Sequence, residues 1–447
     1  MARPTPLSGF PEWLPTDRAV ERAVIDTLRR TFELHGFSEI DTRAVEPVEE
    51  LTRQGETAKE VYVISRLHDG EQGGGEARLG LHFDLTVPLA RYVVENAGKL
   101  VFPFKRYQIQ KVWRGERPQE GRFREFYQAD IDVIGSQELA FHYEVELPLV
   151  MAEALSALPL PPIRMAVNNR KVAEGFYRAI GVSGVAATLR AVDKLAKIGH
   201  EAVAAELTDQ GIASAEQAER ILALADVRGA DETVAERVRA LGVSSELLTE
   251  GLEELSALIA AANERLPGVI EADLSIARGL DYYTGSVYET TIEGHEDLGS
   301  ICSGGRYDSL AQQGGQVYPG VGLSIGVSRL VARVLSAGMA TVNRGVPTVV
   351  LVALGSEDDR AAAQRVAHAL RRRGIAADVA PSAAKFGRQI RHADRLGIPF
   401  VWFPASDAGG DEVKDIRSGE QVAADVQTWE PPAADLTQRL VPGSAEE

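Results

Sequence analysis

Cys302 is the only cysteine in 447 residues, so no disulfide can form within the chain and no cysteine zinc cluster can be built. The eight histidines are scattered, without the short spacings that bring ligands onto one metal. No apolar run approaches the ~18 residues that cross a bilayer. The opening MARPTPLSGF has no apolar segment of the secretory kind. A net charge of −17 excludes a protein that coats nucleic acid indiscriminately, although local patches rather than totals decide contacts. The expectation left by these absences is a cytoplasmic enzyme with no structural metal and no membrane partner. Its length is too great for one ordinary core, so two or three domains are expected.

The charge is placed unevenly. Residues 105–124 carry seven Lys/Arg against two acids and residues 360–395 nine against two, whereas residues 201–265 carry fourteen acids against five Lys/Arg. The first basic stretch opens KRYQIQKVWRGERPQEGRFREFYQADIDVIG (105–135), two runs of period-2 alternation around a loop holding Gly115, Pro118 and Gly121. That pattern predicts two antiparallel strands joined by a long turn. Alternation puts Gln110, Val112 and Arg114 on one face, with Glu116 continuing it, and Arg124, Phe126, Gln128, Asp130 and Asp132 on one face of the second strand. Tyr127, Ala129, Ile131 and Val133 form the apolar back. Phe126 to Asp132 spans roughly 20 Å at ~3.3 Å per residue, about the length of an adenosine, a phosphate and an amino acid end to end. An aromatic can stack on a base, an arginine can clamp a phosphate and an acid can take an ammonium. An amphipathic hairpin with solvated charges fits the same pattern.

Other stretches carry candidate chemistry. In LGLHFDLTVPLARYV, Asp84 and Thr86 are predicted on one strand face with Leu85 and Val87 on the other; an acid beside a hydroxyl suits an ammonium, and equally a cap or turn. LSIARGLDYYTGSVYETTI (274–292) reads as strand, tight turn and strand, with Arg278, Asp281, Tyr282 and Tyr283 crowded beside Gly279 and Gly285. In CSGGRYDSL (302–310), Gly304 and Gly305 let backbone approach a ligand, Arg306 and Tyr307 follow, and Cys302 is a small buried filler. GVGLSIGVSRLVARVL leads through Gly320, Gly322 and Gly326 into a helix whose buried stripe leaves Arg329 free to point at a ligand.

Around these lie a helix at about 18–35 capped by Asp17, a strand at 37–47 ended by Pro47, and a flexible hairpin tip DGEQGGG at 69–75. Residues 170–265 are helical by pattern. From Pro347 a β-α-β-α-β order begins, closed by a hairpin in EVKDIRSGEQVAADV, and the tail after about 432 is expected to fray.

RGERPQEGRFREFYQ resembles motif 2 of the class II aminoacyl-tRNA synthetases, and the longer WRGERPQEGRFREFYQADIDVIG resembles the histidyl-tRNA synthetases within that class. RGLDYY (278–283) and CSGGRY (within 302–308) resemble that family's histidine motifs. The helix and strand at about 17–47 resemble motif 1, and residues 320–336 resemble motif 3. KFGRQIRHADRLG with VKDIRSGEQ resembles the class IIa anticodon-binding domain. One departure is that Leu81-His82 stands where the family's amino-acid loop opens Leu-Arg.

The resemblance implies an α+β catalytic core, an antiparallel β-sheet flanked by helices, over 1–337, with a helical insertion at 170–265. A linker at 338–345, a C-terminal α/β anticodon-binding-like domain at 346–432 and a tail at 433–447 would follow, in a homodimer. It implies ATP, carrying Mg²⁺, and L-histidine as substrates of adenylate formation, and tRNA-His as acceptor. Arg114 and Arg278 would be catalytic at the α-phosphate. Asp84, Leu85, Thr86, Arg114, Gln128, Asp132, Arg278, Tyr282, Tyr283 and Tyr307 would bind histidine, and Arg114, Glu116, Phe126 and Arg329 would bind ATP. Arg117 and Gln119 would read the tRNA's extra 5′ guanylate, and Lys385, Arg388 and Gln389 would touch tRNA from the C-terminal domain. The competing implication is a non-catalytic paralogue that serves as regulatory subunit of ATP phosphoribosyltransferase.

Overall fold

The computed structural model describes residues 5–52, 59–65, 78–231, 233–277, 282–405 and 410–443. Two compact units divide the chain: Met1–Pro11 with Ile25–Val334, and Glu12–Val24 with Leu335–Glu447.

The first unit is organised on a nine-stranded sheet among the described residues. Its order is Ser38–Glu39, Phe104–Trp113, Glu125–Ile134, Gln316–Gly326, Cys302–Gln313, Tyr283–Ile292, Ile163–Asn169, Ile270–Asp273 and Arg228–Gly229. From Phe104–Trp113 across to Ile163–Asn169 every neighbouring pair is antiparallel. Parallel pairs join only at the margins, at Ser38–Glu39 and Ile270–Asp273. The back of the sheet buries Tyr107, Ala129, Ile131, Val133, Val321, Leu323 and Ile325. The helix His142–Ser156 is buried along most of its length. This is the expected antiparallel core with helices around it, and the described residues of 170–265 carry six helices and the two-residue strand Arg228–Gly229.

Three local expectations fail. Residues 274–277 form no strand to pair with Tyr283–Ile292, whose neighbour is instead Ile163–Asn169; Ile270–Asp273 pairs with the other side of that strand. Tyrosines and β-branched residues mark strands in a sequence but not their partners. Asp84 and Thr86 do not share a strand, because the strand stops at Leu81 and Thr86 opens the helix Thr86–Asn96. The first helix starts at Pro15, with Asp17 inside its first turn rather than capping it. The expected hairpin tip at 69–75 lies outside the described residues.

In the second unit a five-stranded sheet runs Ala377–Val379, Val350–Val352, Phe400–Phe403, Glu412–Asp415 and Gln421–Ala423. The first three strands are parallel and the last two form the closing hairpin. Helices Arg360–Arg372 and Phe386–Leu396 supply the crossovers, and Val349, Leu354, Ala367, Leu370 and Trp402 are fully buried in its core. The described part of the tail, 433–443, does not fray: Leu440–Pro442 pairs antiparallel with Ala340–Val342, so the stretch expected as linker carries a strand. Both segments read as weak three-residue strands, which only their mutual pairing stabilises.

Candidate active site

The hairpin register settles what the site is made of. Trp113 pairs with Glu125, Gln110 with Gln128, Gln108 with Asp130 and Arg106 with Asp132. On the other side of Glu125–Ile134, Gly326 lies opposite Gln128, Ser324 opposite Asp130 and Gly322 opposite Asp132. The acidic and amide row is therefore flanked on one side by an arginine and two glutamines, and on the other by residues too small to cover it. The glycines serve that purpose: a Cβ at Gly322 would lie 2.5 Å from Asp132 Cγ, and one at Gly320 would lie 2.6 Å from Cζ of Tyr307. Gly305 was expected to admit a ligand, but its missing Cβ instead makes room for Ser286 O at 2.6 Å and the Tyr283 ring at 2.9 Å.

At one end of this face the charges are buried. Arg106 Nη2 lies 2.6 Å from Asp132 Oδ2, with neither side chain more than 3% exposed. Tyr307 donates its hydroxyl to Asp132 Oδ1 at 2.6 Å. Ser324 donates to Asp130 Oδ1, and Gln128 Nε2 donates to Ser324 Oγ at 2.7 Å. Asp84 is buried at a bend, accepting from the Val87 amide at 3.1 Å. It thus caps the helix Thr86–Asn96 while facing Arg114 and Arg106. Leu85 is wholly buried and contributes its carbonyl, which accepts from Arg106 at 3.4 Å. Burial pushes the Asp84 carboxyl up to about 6 and that of Asp130 up to about 7, against the pull of nearby arginines. Asp132 is raised by burial too, with Arg106 opposing. Three buried carboxylates share this end chiefly with Arg106, an arrangement that favours an incoming cation. Tyr282 and Tyr283 meet edge to face at 4.8 Å between ring centroids, and Tyr282 lies 6.0 Å from Tyr307. Burial pushes all three phenols up, so they remain neutral hydrogen-bond donors.

From Gln128 the face opens into a cavity of about 270 Å³ lined by Arg114, Glu116, Phe126, Ser324 and Arg329 among others. The Arg114 guanidinium lies 5.2 Å from the centroid of Phe126 and is anchored by Nε donating to Phe83 O at 2.9 Å. Arg329, expected off the buried stripe and free to point at a ligand, lines the cavity and donates to the carbonyls of Ser300, at 2.9 Å, and Leu298, which fixes its guanidinium at the wall. Glu116 stands at the rim, 3.8 Å from Arg122. A flat aromatic, two anchored guanidiniums and a carboxylate can hold a purine and its phosphates.

The remaining candidates fall elsewhere. Arg278 lies outside the described residues. Arg117 and Gln119 are exposed on the loop between the hairpin strands, where Gln119 and Arg122 form a β-bridge. In the second unit Lys385, Arg388, Arg391 and Arg395 are exposed along the helix Phe386–Leu396. Gln389 departs from expectation. It is 3% exposed, donates to Leu354 O and Ala384 O, and accepts from the Leu354 amide, so its amide is used up within the fold. Sequence reasoning missed Arg106 and Ser324. The hairpin alternation, continued two steps back from Gln110, reaches Arg106; Ser324 becomes visible only through the strand register.

Two family models match the chain: histidyl-tRNA synthetase over residues 9–330 and an anticodon binding domain over residues 348–427. The histidine–tRNA ligase of Micrococcus luteus is 62% identical over 449 residues, covering 98% of both chains. That of Cutibacterium acnes is 57% identical over 446 residues, again covering 98% of each. Among solved structures, histidyl-tRNA synthetase from a Nostoc species is 35% identical with a TM-score of 0.84, over 95% of this chain and 97% of that one. An ATP phosphoribosyltransferase regulatory subunit/histidyl-tRNA synthetase from Bacillus halodurans is 20% identical with a TM-score of 0.71, over 87% of this chain and 96% of that one, a likeness of fold alone.

Proposed function

The chain belongs to the histidyl-tRNA synthetase family, and we propose that its sheet face divides into an amino-acid end on the buried carboxylates and a nucleotide end in the arginine-lined cavity. Its reaction is that of a histidine–tRNA ligase. L-histidine and ATP give histidyl-adenylate and pyrophosphate, and histidine then passes to the 3′ end of tRNA-His. The regulatory-paralogue reading is not favoured, because ligases at 62% and 57% identity match the chain from end to end.

The observation that carries the division is the run of Gln128, Asp130 and Asp132 from cavity rim to buried end on a single strand. Asp84, Thr86 and Gln128 hold the ammonium of histidine. Asp132, with Tyr282 and Tyr283, meets the imidazole, whose two ring nitrogens require one donor and one acceptor partner; Tyr307 fixes the Asp132 carboxylate from behind. Phe126 and Arg329 sandwich the adenine, with Glu116 at its edge. The histidine carboxylate attacks the α-phosphate in line and pyrophosphate leaves, so the protein's part is positioning and charge stabilisation. Arg114 serves that charge from the cavity wall, and the family motif assigns Arg278 to it as well. Mg²⁺ enters with ATP as part of the nucleotide substrate. We further infer a cytoplasmic homodimer whose Arg117 and Gln119 meet the 5′ end of tRNA-His, with Lys385 and Arg388 toward the anticodon. Histidine-dependent pyrophosphate–ATP exchange by the purified protein tests the reading. Arg278→Ala should cut exchange ~10²–10³-fold with a much smaller change in histidine binding, and an unchanged rate would remove Arg278 from catalysis.

A further inference from the structure

We propose that Ser324 and Asp130 are positioning residues that fix the Gln128 amide with its oxygen toward the amino-acid site. The inference rests on Gln128 holding the histidine ammonium, and adds what orients it. A serine hydroxyl has one proton to give. Here it goes to Asp130 Oδ1, leaving Oγ to accept from Gln128 Nε2 at 2.7 Å. Gln128 Oε1 is consequently buried without a partner among the described residues, on a side chain only 7% exposed. A buried acceptor left so costs ~1–3 kcal/mol until a donor reaches it, and an ammonium brings three. Were the amide reversed, its NH₂ would face the ammonium and repel it, and its oxygen would need the proton that Asp130 holds. The strand register makes the relay possible, since Ser324 lies directly opposite Asp130 and one pleat from Gly326, which leaves Gln128 uncovered.

The relay depends on the charge of Asp130. Around that carboxyl stand Arg106 from the neighbouring strand, Asp132 on its own strand, Asp84 before the helix Thr86–Asn96, and Ser324, Cys302 and Tyr283 from the strands beyond. Burial raises Asp130 to about 7. Once protonated, its hydroxyl can donate to Ser324, whose own proton then turns toward Gln128 and allows the amide to reverse.

The test is histidine-dependent pyrophosphate–ATP exchange with the full-length protein. Ser324→Ala should raise the histidine KM ~10-fold, leave the ATP KM unchanged, lower the thermal midpoint because Gln128 Nε2 and the Asp130 carboxylate lose their partner, and flatten the rise in histidine KM as pH falls through neutrality. Ser324→Thr keeps the hydroxyl and should stay near the parent. In a Gln128→Ala background, Ser324→Ala should add less than ~2-fold, because there is no amide left to orient. A full ~10-fold effect in that background, or a histidine KM untouched by Ser324→Ala alone, overturns the relay. If Gln128→Ala itself leaves the histidine KM unchanged, the ammonium assignment fails and the relay falls with it, an outcome separate from the other two.

Discussion

Gly322→Ala should damage the amino-acid end of the site while sparing the nucleotide end. The added methyl would lie 2.5 Å from Asp132 Cγ, inside any tolerable contact distance. A carboxylate at the end of a side chain could ordinarily swing away, but this one is held at both oxygens, by Arg106 at 2.6 Å and Tyr307 at 2.6 Å. Both partners are themselves buried. Displacing Asp132 therefore strains a buried ion pair, whose outright loss costs ~3–5 kcal/mol. Overpacking a filled interior costs ~1–3 kcal/mol. Because both charges survive in the variant, the net loss should fall at ~2–4 kcal/mol, a large share of the ~5–15 kcal/mol that holds a typical fold. Urea unfolding measures it, and the histidine KM should rise ~10-fold or more while the ATP KM moves less than ~2-fold. Gly326→Ala is the control: its methyl would meet nothing nearer than 3.6 Å, so stability should stay within ~0.5 kcal/mol. Equal stability of the two variants, with a normal histidine KM in Gly322→Ala, would refute the claim that glycine is there to seat Asp132.

Asp130 makes a signed pH prediction. Its pKa is raised to about 7 in the fold, so between pH ~4 and ~7 the folded state holds a proton that the unfolded chain releases. Its contribution to stability accordingly declines as pH rises through that window. Asp130→Asn does not titrate, so its stability relative to the parent should improve by ~2–3 kcal/mol between pH 5 and pH 8, read by urea unfolding without substrates; a difference that does not change with pH would contradict the burial of this carboxyl. In the second unit, Lys385→Glu with Arg388→Glu should preserve adenylate formation and impair tRNA charging most at low salt, the gap to the parent narrowing as salt is raised. Normal charging at every salt concentration would leave the basic helix face merely solvated.

Much of this was legible in the sequence because its motifs coincide with its periodicities. The hairpin alternation placed Gln128, Asp130 and Asp132 on one face, and the register bears that face out. The α/β order after Pro347 was equally readable, since short apolar strands alternate there with helical stretches. What failed did so for lack of long-range information. The strand Tyr283–Ile292 is separated in sequence from its neighbour Ile163–Asn169 by the whole helical insertion, and local pattern carries no trace of that pairing. Asp84 looked like a strand residue because the apolar alternation of LGLHFDL continues past Leu81, where the backbone instead bends and uses the carboxylate as a cap. Gln389 looked like an RNA contact because it sits among cations, yet its helix turns it inward onto Leu354.

The partners of the charges separate working groups from structural ones better than their positions in the sequence do. Arg306 is bound to Glu144 at 2.8 Å and Asp308 at 3.0 Å, and Arg91 to Glu46 at 2.8 Å, so their charge is neutralised where it stands. Such pairs fix one element against another and have little left for a ligand. Arg114 is held differently, by a backbone carbonyl and an aromatic face, and among the described residues no carboxylate comes within ion-pair distance of it. A carbonyl orients a guanidinium without cancelling it, which fits the proposed contact with a phosphate. The acids invert the pattern. Asp84 is tied by a backbone amide and Asp130 by a hydroxyl, neutral partners that aim a carboxylate and leave its charge standing. Burial is the main cause of the raised pKa at these two positions, so a cation brought against them would be favoured. A fold that needed only stability would have paired these groups with one another; the charge left standing at each end is one that the proposed substrates would neutralise.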